Sequence, residues 1–432
     1  MIESYALIGA GPMGLATAKI LLEQGIPFQG FEQHSDVGGL WDINAEQSTM
    51  YESAHLISSK RMTEFKDFPM SDTAAEYPSH GQVLEYFHAF AERFSIREHF
   101  HFGAQVTALE PLGEDGDGWR VTWQDKHGEQ SDIYRGIMIA NGTLSEANMP
   151  KFPGHWDGEM IHASVYREPE FFQGKRVLVV GAGNSGCDIA VDAIHHGLGC
   201  DISMRRGYYF VPKYVFGKPA DTMGGAIKLP MFLKRKIDAL ILKWFVGSPE
   251  KYGFPKPDYK LYESHPIVNS LLLFHAGHGD IKVRPDVERL DGKTVHFRDG
   301  TTADYDLILA ATGYKLHYPF IDNRHLNWVG DAPHLYLNCM HPQRDDLFMM
   351  GMIEALGLGW HGRYEQAEMV AHYIKAKDSP SGAVVRKQKQ AGYRRETGSM
   401  SYIDLPRMAY YVDKSTYLKS VRGVIKRLRS QS

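Results

Sequence analysis

Two copies of one glycine pattern, each set between an apolar run and a helical one, constrain this chain more than any other feature. The first follows Tyr5-Ala6-Leu7-Ile8, a short apolar run of the kind that forms a buried parallel strand. It continues as Gly9-Ala10-Gly11-Pro12-Met13-Gly14, then as Leu15 to Leu22 with helical period, and Gly25 is placed to end that helix. Pro27 to Glu32 reads as a second strand. Strand, G-x-G-x-x-G, helix, strand, acid is the order of a dinucleotide-binding unit. The glycines let the backbone approach a pyrophosphate whose charge sits at the helix N-terminus. Glu32, 23 residues after Gly9, falls where a carboxylate accepts from a ribose hydroxyl.

The second copy is as well formed. Lys175 to Val180 reads as a strand, Gly181-Ala182-Gly183-Asn184-Ser185-Gly186 follows, and a helix runs from Cys187 to about His195. The next strand, Cys200 to Met204, ends in Arg205-Arg206 instead of an acid, which suits a 2′-phosphate and points to NADPH. A chain holding two dinucleotides most often passes hydride between them, nicotinamide to flavin. The first site is the FAD candidate, because Glu32 fits and Val37-Gly38-Gly39-Leu40-Trp41 follows at once.

Two apolar strands that break at turns, Ile137 to Gly142 and Tyr305 to Tyr314, read as the crossings into and out of an inserted domain. The expected fold is α/β with two Rossmann-like dinucleotide-binding domains, the NADP domain inserted in a discontinuous FAD domain. Residues 1–150 and 301–432 make the FAD domain and 151–300 the NADPH domain, with a helical and aromatic insertion near 207–260. A chain of 432 residues has room for this without disulfides or metals.

Composition then removes alternatives. Cys187, Cys200 and Cys339 stand alone, which excludes a disulfide scaffold, a zinc ribbon and a redox cysteine pair beside the flavin. Nothing suggests haem or iron–sulfur ligation. Molecular oxygen or a small organic acceptor remains as the destination of the electrons. A net charge of −4 implies no nucleic-acid partner. No secretory signal opens the chain, and its apolar stretches are too short to span a bilayer, so a cytoplasmic location is expected. His275 and His278, or His99 and His101, come nearest to metal-ligand spacing, but no third ligand joins them and no metal is expected.

The stretch Phe152 to Arg167 resembles the signature of the flavin-containing monooxygenases, which lies just before the second glycine fingerprint in that family. Gly158, His162 and Tyr166 match it, and Trp156 stands where the family usually has Phe. The resemblance extends through Gly38-Gly39-Leu40-Trp41, Asp67-Phe68-Pro69, Tyr77-Pro78-Ser79-His80, Arg205-Arg206-Gly207, Ala311-Thr312-Gly313-Tyr314 and Tyr364 to Glu368. It implies an enzyme related to the Baeyer–Villiger monooxygenases that uses NADPH and O2 and works through a C4a-(hydro)peroxyflavin. The oxygen would go to a small soft nucleophile (sulfide, amine, indole-like) or to a ketone. Gly9, Gly11, Pro12, Met13, Gly14, Glu32, Gly39, Leu40, Trp41, Val106, Ala311, Thr312 and Gly313 would bind cofactor, with Gly181, Gly183, Asn184, Ser185, Gly186, Arg205 and Arg206.

One departure concerns the chemistry. Members of that family carry Asn ahead of Ser-Ser-Lys beside the flavin, and here Ile57 occupies that position. Either Ser58, Ser59 or His55 substitutes, or the intermediate is shorter-lived and peroxide leaks. An uncoupled NADPH oxidase is therefore the competing reading, and a redox sensor without turnover a third. His162 reads equally as a packed hinge residue. The aromatic segment Arg206 to Pro257 reads as a homodimer interface or satellite core, with a substrate-channel lid as the alternative. The basic tail Val412 to Ser432 has apolar residues at helical spacing and is expected to dock on its own domain; an anionic membrane surface is the alternative.

Overall fold

Each glycine fingerprint heads its own five-stranded, all-parallel sheet. The computed structural model describes residues 3–113, 117–223 and 231–430. Residues 1–2 and 431–432, at the expected ends of the first domain, and 224–230 of the 207–260 insertion lie outside the described residues. In the first sheet the strands lie in the order Leu347–Met349, Gly136–Ile139, Tyr5–Ile8, Phe28–Glu32, Phe100–Phe102. All four residues of Tyr5–Ile8 are buried, as a strand covered on both faces requires. Tyr5 and Leu7 face a core built with the helices Pro12–Gln24, His80–Arg93 and Gly359–Ala376. Ala6 and Ile8 face the opposite core, which includes Val106, Trp119 and Tyr134 of a three-stranded antiparallel sheet.

The second sheet repeats the plan in the order Glu159–His162, Leu307–Ala310, Arg176–Val180, Gly199–Ser203, Ile281–Arg284. Val177 and Val179 pack toward the helix Asn184–His196, while Leu178 and Val180 pack on Val287, Leu290, Val295 and Phe297 of a small mixed sheet. The expected boundary at 301 is therefore displaced. Leu307–Ala310, read as the return into the first domain, lies inside the second sheet, between Glu159–His162 and Arg176–Val180, and the chain leaves only after it. An apolar strand that breaks at a turn looks the same in sequence whichever sheet it joins. The two passages between the units run side by side, Glu146–Ala147 pairing antiparallel with Tyr314–Lys315.

The tail forms the helix Lys414–Arg429, capped by Asp413, whose carboxylate accepts from Thr416 N at 2.9 Å. Tyr417, Leu418, Val421, Val424, Ile425 and Leu428 are all buried, and Arg422 makes a two-pronged pair with Glu365 of the Gly359–Ala376 helix at 2.6 Å. The apolar face that could have met a membrane is thus already covered by the protein. In the 207–260 insertion, Phe210, Phe254 and Tyr259 are buried. The helix Met231–Val246 contributes no buried residue at all.

Candidate dinucleotide cradles and the loop between them

The two fingerprints build nearly congruent cradles. Gly9 and Gly181 both have φ +103°, a backbone region that favours glycine. A Cβ on Gly9 would fall 2.8 Å from the Ala140 carbonyl oxygen, and one on Gly181 would fall 2.5 Å from that of Ala311. The third glycines, Gly14 and Gly186, press their helices onto the first, with a Cβ 1.9 Å from Gly9 O and 2.1 Å from Gly181 O respectively. Ala311-Thr312-Gly313 therefore backs the second cradle, as Ala140-Asn141-Gly142 backs the first. Gly11 and Gly183 are the N-caps of helices that offer their free N–H groups to an anion. A Cβ on Gly183 would meet nothing within 4 Å, so that side is open.

In the first cradle the buried Glu32 carboxylate accepts from Ala10 N at 2.6 Å and from His34 N at 2.9 Å. It ties the glycine turn to the end of the neighbouring strand and keeps lone pairs for a further donor. Gly39, Leu40 and Trp41 form a single helical turn over Gly11, where a Cβ on Gly39 would fall 3.0 Å from the Gly11 Cα. Leu40 O accepts from Ser48 Oγ at 2.6 Å, and Trp41 meets the Trp360 ring edge-on. The Val106 side chain belongs to the core under the sheet. Met13 is buried against Gly351, a residue the sequence reading missed. Gly351 N donates to Gln366 Oε1 at 2.8 Å, just past the edge strand Leu347–Met349. The signal available was a glycine directly after an apolar run, Leu347 to Met350.

In the second cradle Asn184 Oδ1 accepts from Val268 N at 2.7 Å, which ties the first turn of the helix to the 267–269 segment. Arg205 is exposed at the end of the Gly199–Ser203 strand. Arg206 lies 3.5 Å from Asp258.

Between the cradles, residues 48–60 of the first unit are stitched to the second. Tyr51 OH donates to Asp188 Oδ2 at 3.1 Å and Ser53 Oγ to Asp192 Oδ2 at 2.6 Å. The Ser185 side chain also hydrogen-bonds the Tyr51 phenol. Both acids stand on the Asn184–His196 helix, and sequence reading missed both. Tyr166 of the signature donates to Asp192 at 2.9 Å and stacks on Phe172. His162 is buried: its Nδ1 accepts from Ser164 N at 3.1 Å and its Nε2 lies 3.1 Å from Gly313 O. That arrangement puts the proton on Nε2, and burial lowers the imidazole's pKa, so His162 is a neutral hinge pin. A Cβ on Gly158 would strike the Trp156 ring.

Of the residues considered for the chemistry, Ile57 is half-buried and His55 is exposed, its Nδ1 2.9 Å from Ser53 O. Ser58 Oγ is paired with Thr63 Oγ1 at 2.6 Å. Ser59 is fully buried, its N–H donates to Asp221 Oδ2 at 2.7 Å, and its hydroxyl has no partner among the described residues. Lys60 spends its ammonium on the carbonyls of Ser71, Asp72 and Ala74. Tyr77 OH donates to Lys213 O, so the 213–221 segment of the insertion meets the first unit both at this loop, through Ser59, and at Tyr77 beyond it.

Burial pushes the Asp188 carboxyl up to about 6, against the opposing effects of its Asn269 and Tyr51 hydrogen bonds. A folded-state value above the unfolded one stabilises the protonated form. This contribution is present below about pH 4 and is lost as pH rises through 6. Asp188→Asn should therefore be more stable than the parent above pH 6, by up to about 3 kcal/mol, and lose that advantage below pH 4. Melting temperatures across pH 4–8 check this; parallel curves would refute it.

Among the described residues no three His, Cys, Asp or Glu side chains gather in a way that could hold a metal ion, and no helix is long and apolar enough to cross a membrane. His275 Nε2 lies 3.1 Å from His195 Nε2, and its Nδ1 pairs with Asp280.

The family described as flavin-binding monooxygenase-like matches residues 3–425. The chain is 30% identical over 395 residues to flavin-containing monooxygenase 3 of Oryctolagus cuniculus, covering 87% of this chain and 74% of that protein. The open crystal structure of cyclohexanone monooxygenase superposes with a TM-score of 0.73 at 19% identity, covering 99% of this chain and 98% of that one. The structure of OTEMO in complex with FAD and NADP superposes at 0.69 with 18% identity, covering 87% and 86%.

Proposed function

The chain belongs to the flavin-binding monooxygenase-like family, and from that premise we propose that it oxygenates a small soft nucleophile, sulfide, amine or indole-like, or a ketone. It is a flavin-containing monooxygenase whose cofactors are FAD and NADPH. The observation that supports this reading of the substrate step is the pairing of two cradles with no thiol pair to take the electrons. Cys187, Cys200 and Cys339 are all buried and unpaired, and burial raises each thiol well above its ordinary range.

Bound FAD supplies the redox chemistry, taking two electrons from NADPH and passing one oxygen atom of O2 to substrate, the other leaving as water. The residues fit both groups. Gly9, Gly11 and Gly14 leave the space a pyrophosphate needs, and Glu32 would accept from the ribose. Gly181, Gly183 and Gly186 would do the same for NADPH, with Arg205 and Arg206 to meet its 2′-phosphate. The Tyr51–Asp188 and Ser53–Asp192 bonds hold the Asn184–His196 helix against the 48–60 loop. Ser59 provides the free hydroxyl where Ile57 offers none.

The test is stoichiometry. Purified holoenzyme should bind FAD and, with a suitable sulfide, amine, indole or ketone, turn NADPH and O2 into oxygenated product one for one. Peroxide equal to NADPH consumed with every substrate would instead establish the oxidase reading that Ile57 motivates. Ile57→Asn should lower the peroxide share by up to about tenfold, the worth of one hydrogen bond. Arg205→Ala should raise the KM for NADPH by about 10- to 100-fold and leave that for NADH unchanged, as loss of a charge-assisted phosphate contact predicts.

A further inference from the structure

The strand Gly199–Ser203 ends where a dinucleotide unit of this kind meets the adenosine ribose, so charges fixed just past it bear on the 2′ position. Two arginines stand there in different circumstances. Arg205 is exposed and has no ion pair among the described residues. Arg206 Nη2 lies 3.5 Å from Asp258 Oδ2, and its Nη1 is buried with no hydrogen-bond partner among the described residues. Asp258 is distant in sequence and is brought to this spot by close packing. A Cβ on Gly207 would fall 2.1 Å from Pro255 O and 2.5 Å from Pro257 N, so the residue after Arg206 must be glycine for that backbone to come so near. Phe254 and Tyr259, on either side, are buried. Phe254 meets the Phe210 ring edge-on at 5.2 Å, and Tyr259 O accepts from Tyr209 OH at 3.0 Å. Pro255 and Pro257 fix φ at two of the residues between those anchors. The backbone under Asp258 is thus held, while its carboxylate is exposed and has Arg206 as its one ion-pair partner among the described residues.

We propose that Asp258 sets how strongly the chain prefers NADPH to NADH, by holding Arg206. This rests on Arg205 and Arg206 being the groups that meet the 2′-phosphate. A guanidinium presents its N–H groups as a fork, and carboxylate and phosphate compete for the same prongs. Arg205 turns to the phosphate with nothing to give up. Arg206 has to exchange Asp258 for it, so the pair delivers less than two free arginines would. NADH carries a hydroxyl in place of the phosphate, makes no call on Arg206 and is untouched by the exchange. Asp258 is therefore a positioning residue, acting on the coenzyme through its neighbour. Folding stability gives little reason for the arrangement, because an exposed ion pair contributes about 1 kcal/mol at most. The crowding at Gly207 has its explanation in where it puts the carboxylate.

Calorimetric titration of the FAD-loaded full chain with NADP+ and with NAD+ tests this, free of any contribution from turnover. Asp258→Asn should bind NADP+ about fivefold more tightly than the parent, the worth of one exposed ion pair, and bind NAD+ equally well. Asp258→Ser should behave alike. In an Arg206→Ala background Asp258→Asn should change neither affinity, because no guanidinium is left to release. The substituted side chain is exposed, so melting temperatures matching the parent's establish that the variants are folded. Unchanged NADP+ affinity in both Asp258 variants overturns the proposal. So does a gain of the same size that persists without Arg206, which would make Asp258 a repelling charge acting on its own. Failure of the underlying reading looks different: Arg205→Ala and Arg206→Ala would then both leave NADP+ affinity where it was, and the proposal would fall with it.

Discussion

Gly186→Val should abolish NADPH oxidation while the protein stays yellow. The first β-carbon alone would lie 2.1 Å from Gly181 O and 3.0 Å from the Ala311 Cβ, and neither neighbour can yield, one being backbone and the other packed beneath it. The helix must back away from the strand, and its N-terminal N–H groups withdraw from the phosphates they serve. Overpacking of this severity costs about 3 kcal/mol, which corresponds to a loss of about 100-fold or more in kcat/KM. The flavin should stay, because the first cradle is built on a different sheet. Gly183→Ala separates the role of space for ligand from that of space for the fold. Its Cβ would meet no protein atom, so its melting temperature should match the parent while NADPH affinity falls. Flavin loss from Gly186→Val, or full activity in it, would contradict the assignment of the two cradles.

Glu32→Ala should yield largely colourless protein. The carboxylate is buried and accepts from two backbone N–H groups, Ala10 in the glycine turn and His34 past the strand, before any ribose is considered. Hydrogen bonds to a charged acceptor contribute about 1.5–3 kcal/mol each, and removing the acceptor leaves both donors unpaired. The turn that receives the pyrophosphate loses its brace, and FAD affinity should fall about 100-fold to 10,000-fold. Glu32→Gln, which keeps one acceptor, should fall between the parent and Glu32→Ala. Flavin content after gel filtration and titration of the apoprotein with FAD both measure this. A fully loaded Glu32→Ala would mean that the carboxylate has no part in the site.

The features legible in sequence are those written in consecutive residues. Gly9 to Gly14 and Gly181 to Gly186 each carry strand, turn and helix within one short window, so their geometry follows from local steric rules. Glu32 was legible for the same reason. What escaped depends on partners distant in the chain. Leu307–Ala310 could not be assigned to a sheet, because its strand neighbours lie near residues 160 and 178 and an apolar run does not name them. Asp188 and Asp192 look like solvent-facing residues of an ordinary helix until Tyr51, Ser53 and Tyr166 are brought onto them. Ile237 to Val246 is an apolar stretch in the sequence, and nothing in its composition tells which way its side chains face.

The paired passages between the units have a consequence for modularity. Because Glu146–Ala147 and Tyr314–Lys315 lie hydrogen-bonded side by side, the second unit begins and ends at adjacent points in space. All five strands of the first sheet lie outside it, Gly136–Ile139 pairing directly with Leu347–Met349. The second unit is therefore an insertion on a two-stranded stalk, and cutting there would leave the first sheet with no strand missing; an exchanged unit would have to reproduce the bonds that Asp188, Asp192 and Asp221 make to the 48–60 loop.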